Sequence, residues 1–384
     1  MTPEPVMQES APVNVESPNG SSAEGMILPA YGRGCLTDLL PALTSGDPGP
    51  LPVRFGSGPR VLFVLDGLGW EQMARWRHLL PNLSSFLGDS ITTVAPSTTA
   101  SALTSITTSL PPSQHGIVGY RMVIDDMVFN TLRWGSAERP DCRTTVPPEL
   151  IQPYAPFLGR PMALVTKAEF QTTGFSRAHL RGGRLTGYRT PAVLVHELVR
   201  IVRSGEDVVY AYYDGVDKVA HEYGLGTEYE AELAFVDRMV GDVVDALPSE
   251  TTLVITADHG QVDCGDRLHP VNGEVLEKVT MFSGEARFRW LHCEPGHIGR
   301  VAEAAQAHHG HEAWIRTRDQ ILDEGWFGPG MSAGVVDRLG DVALLPFDPI
   351  GYADPADTGP FELVGRHGSL TAPEMLVPCV ATVV

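Results

Sequence analysis

Short β-branched runs punctuate the chain, each closed by turn-forming residues: Val61-Leu62-Phe63-Val64-Leu65, Ala163-Leu164-Val165-Thr166, Val208 to Tyr213, and Leu253-Val254-Ile255-Thr256. Each is apolar at consecutive rather than alternate positions, as expected of a strand covered on both faces. Between the runs, apolar positions recur at intervals of three and four. Leu103, Ile106 and Leu110 form one stripe, and Leu194, Leu198 and Ile201 a second. Leu233, Val236, Val240, Val244 and Leu247 form a third, within a helix expected from Glu228 to Leu247. Doubly buried strands alternating with amphipathic helices predict an α/β fold, a mostly parallel central sheet with helices on both faces.

Beyond His259 the pattern changes. Residues 268 to 347 read as strand (Arg287 to Cys293), helix (Ile298 to His308), strand (Ala313 to Thr317), helix, and strand (Asp341 to Leu345). That order predicts a small α+β cap inserted within a main domain of residues 28–384. Residues 1–27 are rich in Pro, Ser, Glu and Asn and poor in large apolar groups, so a disordered tail is expected there.

Charge narrows the functional classes. Lysine and arginine number 28 against 47 acidic residues, a net charge of −19. A nucleic-acid polymer or an anionic membrane would demand the opposite sign, so neither is expected as a partner. No run approaches the roughly 18 apolar residues of a spanning helix. The amino terminus lacks the basic start and apolar stretch of a secretory signal. The five cysteines (Cys35, Cys142, Cys264, Cys293, Cys379) are scattered and show no CxxC spacing. Together these features predict a soluble cytoplasmic protein.

Ligands of parallel sheets bind just beyond the carboxyl ends of the strands. Those positions hold Asp66 in VLFVLDGLGW, Asp214, Asp217 and His221 in YAYYDGVDKVAH, and Asp258 and His259 in TLVITADHG, with His367 in the later GRHGSL. Asp217 and His221 are four apart and share one helix face. Each element has an ordinary explanation alone: Asp-Gly is a common turn, an i,i+4 pair is often a solvated face, and a lone histidine usually packs. Their joint occurrence at strand mouths points instead to carboxylate and imidazole ligands for zinc, in numbers sufficient for two adjacent ions that clamp a phosphoryl group. A hydroxyl nucleophile is sought in VAPSTTASALTSITTSLPPSQHGIVGY, where Ser or Thr residues open a helix. N-capping and solvated positions account for most of them; one hydroxyl at the helix start could meet a phosphate held by the free N–H groups.

This order of motifs resembles the alkaline phosphatase superfamily and, within it, the type I phosphodiesterase/nucleotide pyrophosphatase family, over roughly Arg60 to Pro378. The resemblance implies an alkaline phosphatase-like fold and two zinc ions, one held by Asp217, His221 and His367, the other by Asp66, Asp258 and His259. It places the nucleophile on Thr99, sixteen residues before His115-Gly116-Ile117-Val118 and beside the second ion. The implied activity is hydrolysis of a small-molecule phosphoester or nucleotide through a phosphothreonine. Two departures stand out: Thr99-Ala100-Ser101-Ala102 replaces the family's Thr-Phe-Pro-Asn, and Tyr120 replaces an asparagine that holds a phosphate oxygen. Tyr120 and Lys167, with Arg121 or Arg177 as further cations, are the candidates for that contact. A phosphomonoesterase or phosphonate hydrolase on the same residues is the alternative; a non-catalytic nucleotide cradle is disfavoured because Gln72 breaks the glycine pattern of DGLGWEQ.

Overall fold

The structure, a computed structural model, describes residues 25–357 and 362–384. Most of the expected tail therefore lies outside the described residues. Met26 is already buried, and the Ile27 N–H donates to the Leu370 carbonyl at 2.9 Å.

The central sheet has seven strands: β1 (Arg60–Leu65), β2 (Leu87–Thr92), β3 (Ala163–Lys167), β4 (Arg184–Tyr188), β5 (Val208–Tyr213), β6 (Thr252–Thr256) and β7 (Leu376–Val383). Their order across the sheet is β2-β7-β6-β1-β5-β3-β4. All run in one direction except β7, which is antiparallel to both neighbours. The doubly apolar runs are the central strands, as their pattern requires. The strands without such a run lie elsewhere. β2 (LGDSIT) and β4 (RLTGY) are half-exposed edges, and β7 carries Pro378, one residue before its pairing with β6 begins at Cys379.

Register decides where the chemistry falls. Leu65 of β1 pairs with Tyr213 of β5, and Val64 pairs with Thr256 of β6. Asp66, Asp214 and Asp258 therefore leave the sheet at nearly the same level and on the same edge.

Three helices carry the predicted stripes. Pro191–Arg203 buries Leu194, Leu198 and Ile201, and Thr227–Ala246 buries Leu233, Val236 and Val240. The third, α1 (Thr99–Thr108), ends two residues before Leu110, because Ser109 turns into the left-handed region at φ 60°. Among the described residues, no helix is long and apolar enough to cross a membrane.

Residues 279–346 hold a second, four-stranded antiparallel sheet, in the order Val279–Glu285, Phe288–Cys293, Val342–Pro346, Ala313–Thr317. It packs on helix Ile298–His309 around Val301, Ala305, Ile315 and Leu344, a core separate from that of the main sheet. Its first strand was not apparent in the sequence, because residues 279–282 are partly exposed. Arg287, expected to open a strand, instead sits in the two-residue turn of the first hairpin.

The His-Gly-Ile-Val segment braces α1. The His115 Nδ1 accepts the Ile117 N–H at 3.1 Å, so its proton resides on Nε2 and is donated to the Ser105 hydroxyl 2.9 Å away. Ser101 in turn donates to the Ile117 carbonyl at 3.0 Å. Burial, reinforced by nearby Arg338, pushes the His115 pKa from 6.5 down to about 3. The unfolded chain then binds that proton first, so the contribution of His115 to stability is complete above about pH 6.5 and is lost as pH falls toward 3. Replacing His115 by Leu should cost about 1–3 kcal/mol for each stranded polar group. Urea titrations should also show a shallower fall of stability with acid in His115→Leu than in the parent. An unchanged pH slope would mean that the imidazole is not buried neutral.

Candidate functional site

Asp66 emerges from β1 fully inside the protein. Its backbone N–H donates to the Tyr213 carbonyl, its carbonyl accepts the Asp217 N–H at 3.0 Å, and its Oδ2 accepts the Tyr212 hydroxyl. Asp258 follows β6, with Oδ1 accepting N–H groups of Gly67 and His259, each at 3.1 Å. The other oxygen of each pair, Asp66 Oδ1 and Asp258 Oδ2, is buried without a hydrogen-bond partner. Both lie 3.5 Å from the His259 Nε2.

Asp217 and His221 share a face of helix Gly215–Tyr223, and the His221 Nε2 lies 3.2 Å from the Asp217 Oδ1. The His367 Nε2 approaches the same oxygen at 3.8 Å from the far end of the chain. The His367 and His259 rings stack with centroids 3.6 Å apart. Donor atoms of Asp66, Asp258 and His259 lie within 4.8 Å of one another, as do those of Asp217, His259 and His367. His259 thus stands between two adjacent groups, with His221 against Asp217 on the outer side.

The donor set fits divalent metal. Each imidazole gives its Nδ1 proton to a backbone carbonyl: His259 to Gly260 at 3.0 Å, His221 to Gly365 at 2.7 Å, and His367 to Ser97 at 2.8 Å. All three Nε2 lone pairs are left for the cluster, the tautomer that a histidine ligand uses. Burial, and then the neighbouring imidazoles His259 and His221, hold His367 neutral by pushing its pKa well below 6.5. Asp66 is driven upward first by burial and then by the charges of Asp258 and Asp217. Asp258 is raised by burial as well. Unpartnered buried oxygens and converging lone pairs form an anionic pocket shaped for cations.

Thr99 opens α1, and its hydroxyl lies 3.0 Å from the His259 Nε2. Because His259 uses Nδ1 to donate, Thr99 is the donor of that bond. The other hydroxyls of α1 are committed elsewhere. Thr104, Thr107 and Thr108 bond back to carbonyls one turn earlier, while Ser101 and Ser105 hold the His-Gly-Ile-Val loop.

A cavity of about 230 Å³ opens beside the cluster. Its polar edge includes Asp66, Thr99, Asp217 and Lys218, and its walls include Leu103, Phe170, Phe175 and Tyr212. The expected oxygen contacts are placed less directly. Tyr120 lines a different and larger cavity, of about 1020 Å³, with Arg121 and Phe282. Lys167 is held by Asp214 at 2.7 Å, and that carboxylate also takes Lys218 at 2.8 Å. Arg121 is paired with Asp354 at 2.5 Å and Arg177 with Glu149 at 2.9 Å.

The glycines of DGLGWEQ serve packing. A Cβ on Gly67 would lie 3.0 Å from the Asp217 backbone, and one on Gly69 would lie 2.7 Å from the Gly260 Cα. The chain is bare there so that the β1 and β6 loops can touch.

Several partners of the cluster carried no sequence signal. Tyr212 bonds Asp66, the Gln261 side chain donates to Asp217 at 2.6 Å, and the Ser97 backbone carries His367. Tyr212 and Gln261 lie close to recognised motifs, so a search for polar groups flanking each ligand would have found them.

Comparisons with known proteins bear on the family and the fold. The sequence model described as type I phosphodiesterase / nucleotide pyrophosphatase matches residues 60–370. GPI ethanolamine phosphate transferase 3, catalytic subunit, of Homo sapiens is 31% identical over 97 residues, 25% of this chain and 9% of that protein. The chain thus spans less than a tenth of the length of that curated relative. Among solved structures, murine ectonucleotide pyrophosphatase / phosphodiesterase 5 superposes with a TM-score of 0.61 at 14% identity, over 84% of this chain and 87% of that one. An inactive threonine-to-alanine variant of the same murine protein in complex with AMP gives a TM-score of 0.60 at 14% identity, over 85% and 88%. Phosphonoacetate hydrolase from Sinorhizobium meliloti 1021 in complex with phosphonoformate gives 0.62 at 17% identity, over 85% and 90%. At these identities the superpositions establish that the chain shares the fold of these proteins.

A cation entering the cluster competes with protons for Asp66 and Asp258, whose carboxyls burial pushes above their ordinary range. Zinc affinity, measured by competition with a chromophoric chelator, should therefore strengthen as pH rises from about 5 to 7.5. Calorimetry in buffers of different ionisation enthalpy should register proton release. A pH-independent affinity would place the metal elsewhere.

Proposed function

This chain belongs to the type I phosphodiesterase / nucleotide pyrophosphatase family, and from that membership we propose that it is a di-zinc phosphoester hydrolase acting on a nucleotide or another small phosphodiester through Thr99. The observation that carries the proposal is the Thr99 hydroxyl at the start of α1, 3.0 Å from His259 and at the edge of six convergent ligands. Asp217, His221 and His367 would hold one ion and Asp66, Asp258 and His259 the other, each ligand set drawn from distant segments. When bound, the ions supply Lewis-acid charge that lowers the pKa of a hydroxyl or water and stabilises oxygens that gain charge in the transition state.

The remaining steps belong to the chain. Thr99 forms the Oγ1–phosphorus bond as the bond to the leaving oxygen breaks, and the departing alcohol takes a proton. Water then attacks phosphorus and the phosphothreonine opens, restoring the hydroxyl. The first-turn N–H groups of α1 point toward the reacting phosphate and favour its negative charge. The 3.0 Å approach of the Thr99 hydroxyl to the His259 Nε2 sets that hydroxyl beside the ion that His259 would hold. The apolar walls of the adjoining cavity, Phe170, Phe175 and Tyr212 among them, suit a flat aromatic substituent and exclude water around it. The complex of AMP with the inactive threonine-to-alanine murine protein supports both the nucleotide and the threonine in this reading.

A second reading, hydrolysis of a phosphomonoester or phosphonate on the same residues, is favoured by one observation. Tyr120, at the position of the family's oxygen-holding asparagine, lines the other cavity, whereas Lys218 lines this one and would face an anionic substituent.

Thr99→Ala should lower turnover by at least about a thousandfold, the scale of losing a nucleophile, while bound zinc stays near two per chain by elemental analysis. Parent-like rates in that variant would remove Thr99 from the mechanism. Rates on p-nitrophenyl phosphate, phosphonoacetate and a p-nitrophenyl nucleotide diester separate the two readings, and the diester is expected to be fastest.

A further inference from the structure

Arg287 occupies the turn of the first hairpin in the small sheet and is 0% exposed. A guanidinium has five N–H donors, and all five are used here. Nε donates to the Glu374 Oε1 at 2.7 Å and Nη2 to the Glu374 Oε2 at 2.8 Å, a bidentate fork. Nη1 donates to the carbonyls of Asp348 and Ile350 at 2.8 and 2.6 Å, and Nη2 also to that of Pro346 at 3.1 Å. No donor is left for substrate.

Glu374 is equally buried, and its remaining bonds all run toward the ligand loops. Its carboxylate accepts the Ser369 N–H at 3.0 Å and the Thr371 hydroxyl. Its backbone carbonyl accepts the N–H of Gly260, the residue after His259, at 2.9 Å. The Ser369 carbonyl takes the Ser97 hydroxyl at 2.7 Å, and Ser97 holds His367. The same hairpin presses a second residue on this loop: the Glu285 Oε2 lies 3.9 Å from the His367 Nδ1.

We propose that Arg287 and Glu374 are positioning residues that set the metal cluster from outside, so that the small sheet acts as a fixed clamp on the His259 and His367 loops. A fork with every donor satisfied and no water access permits one geometry. That geometry is passed to the two loops through Gly260 and Ser369. The proposal rests on the di-metal reading only for its effect on zinc.

The test uses the full chain carrying Arg287→Met together with Glu374→Gln, which removes both buried charges at once and so avoids an orphaned ion. Hydrogen–deuterium exchange should quicken at least about tenfold in peptides covering 258–262 and 367–372, while the peptide of β1 exchanges as in the parent. Zinc affinity should fall about ten- to a hundredfold, the usual consequence of losing an outer-shell support, and kcat should fall while KM holds. A folded variant with parent-like exchange in both loops and parent-like zinc affinity overturns the clamp. Should that variant not fold, Arg287→Lys keeps the charge without the fork and must show the same local exchange and weaker zinc, or the proposal fails. If the parent itself binds no zinc, the metal reading falls and the exchange data alone decide the clamp.

Discussion

Asp66 and Asp258 meet inside the protein beside the partly exposed Asp217, and each of the two buried carboxylates has an oxygen that no hydrogen bond reaches. Like charges that close together in a poorly solvated setting repel strongly, and burial disfavours the charged forms of Asp66 and Asp258. Nearby neutral donors relieve part of that cost through Tyr212, Gln261 and the N–H groups of Gly67 and His259. The imidazoles relieve little of it, because their Nδ1 protons are already given to carbonyls and they face the cluster as lone pairs. A bound cation would meet the requirement for positive charge at this point. The in-register strands, the bare glycines at the loop contact and the braced start of α1 are all arranged around that requirement.

Much of this was legible in the sequence because the information was local. A doubly apolar strand marks its own end, so the residues after β1, β5 and β6 could be picked out as the sheet's binding edge, and Asp217 and His221 followed from helical spacing. His367 follows no such run, since the short strand before it has only two residues; a lone histidine in GRHGSL reads first as a packing residue, and the resemblance is what assigns it to an ion. Thr99 also needed the resemblance, since composition cannot rank one hydroxyl above the others in a helix that is full of them. The structure ranks them by partner: the other side chains of α1 that carry hydroxyls bond to backbone or to His115. What could not be read was whatever depends on pairing across the chain. β2 and β4 lack an apolar run because edges need none, and the Arg287–Glu374 fork joins residues 87 positions apart.

The two cavities divide the candidate substrate contacts. Thr99 and the metal ligands border the smaller, mostly aromatic space, while Tyr120 and Arg121 border the larger one, where Arg121 is already committed to Asp354. An oxygen contact supplied in relatives by an asparagine is therefore not simply exchanged for a tyrosine at the same point. Tyr120 lies on the side of the small sheet, whose Phe282 shares the larger cavity.

β7 has a consequence for how the protein is made. It is the last strand in chain order, yet it lies between β2 and β6 and supplies the pairing for both. Until β7 is made, β6 presents an open edge with Leu253, Val254 and Ile255 at its centre, and β2 lacks its strand partner. His367 and Glu374 arrive in that same final stretch. The nascent polypeptide therefore covers that edge and brings His367 to the cluster together, once β7 has been made, rather than progressively as the earlier strands emerge.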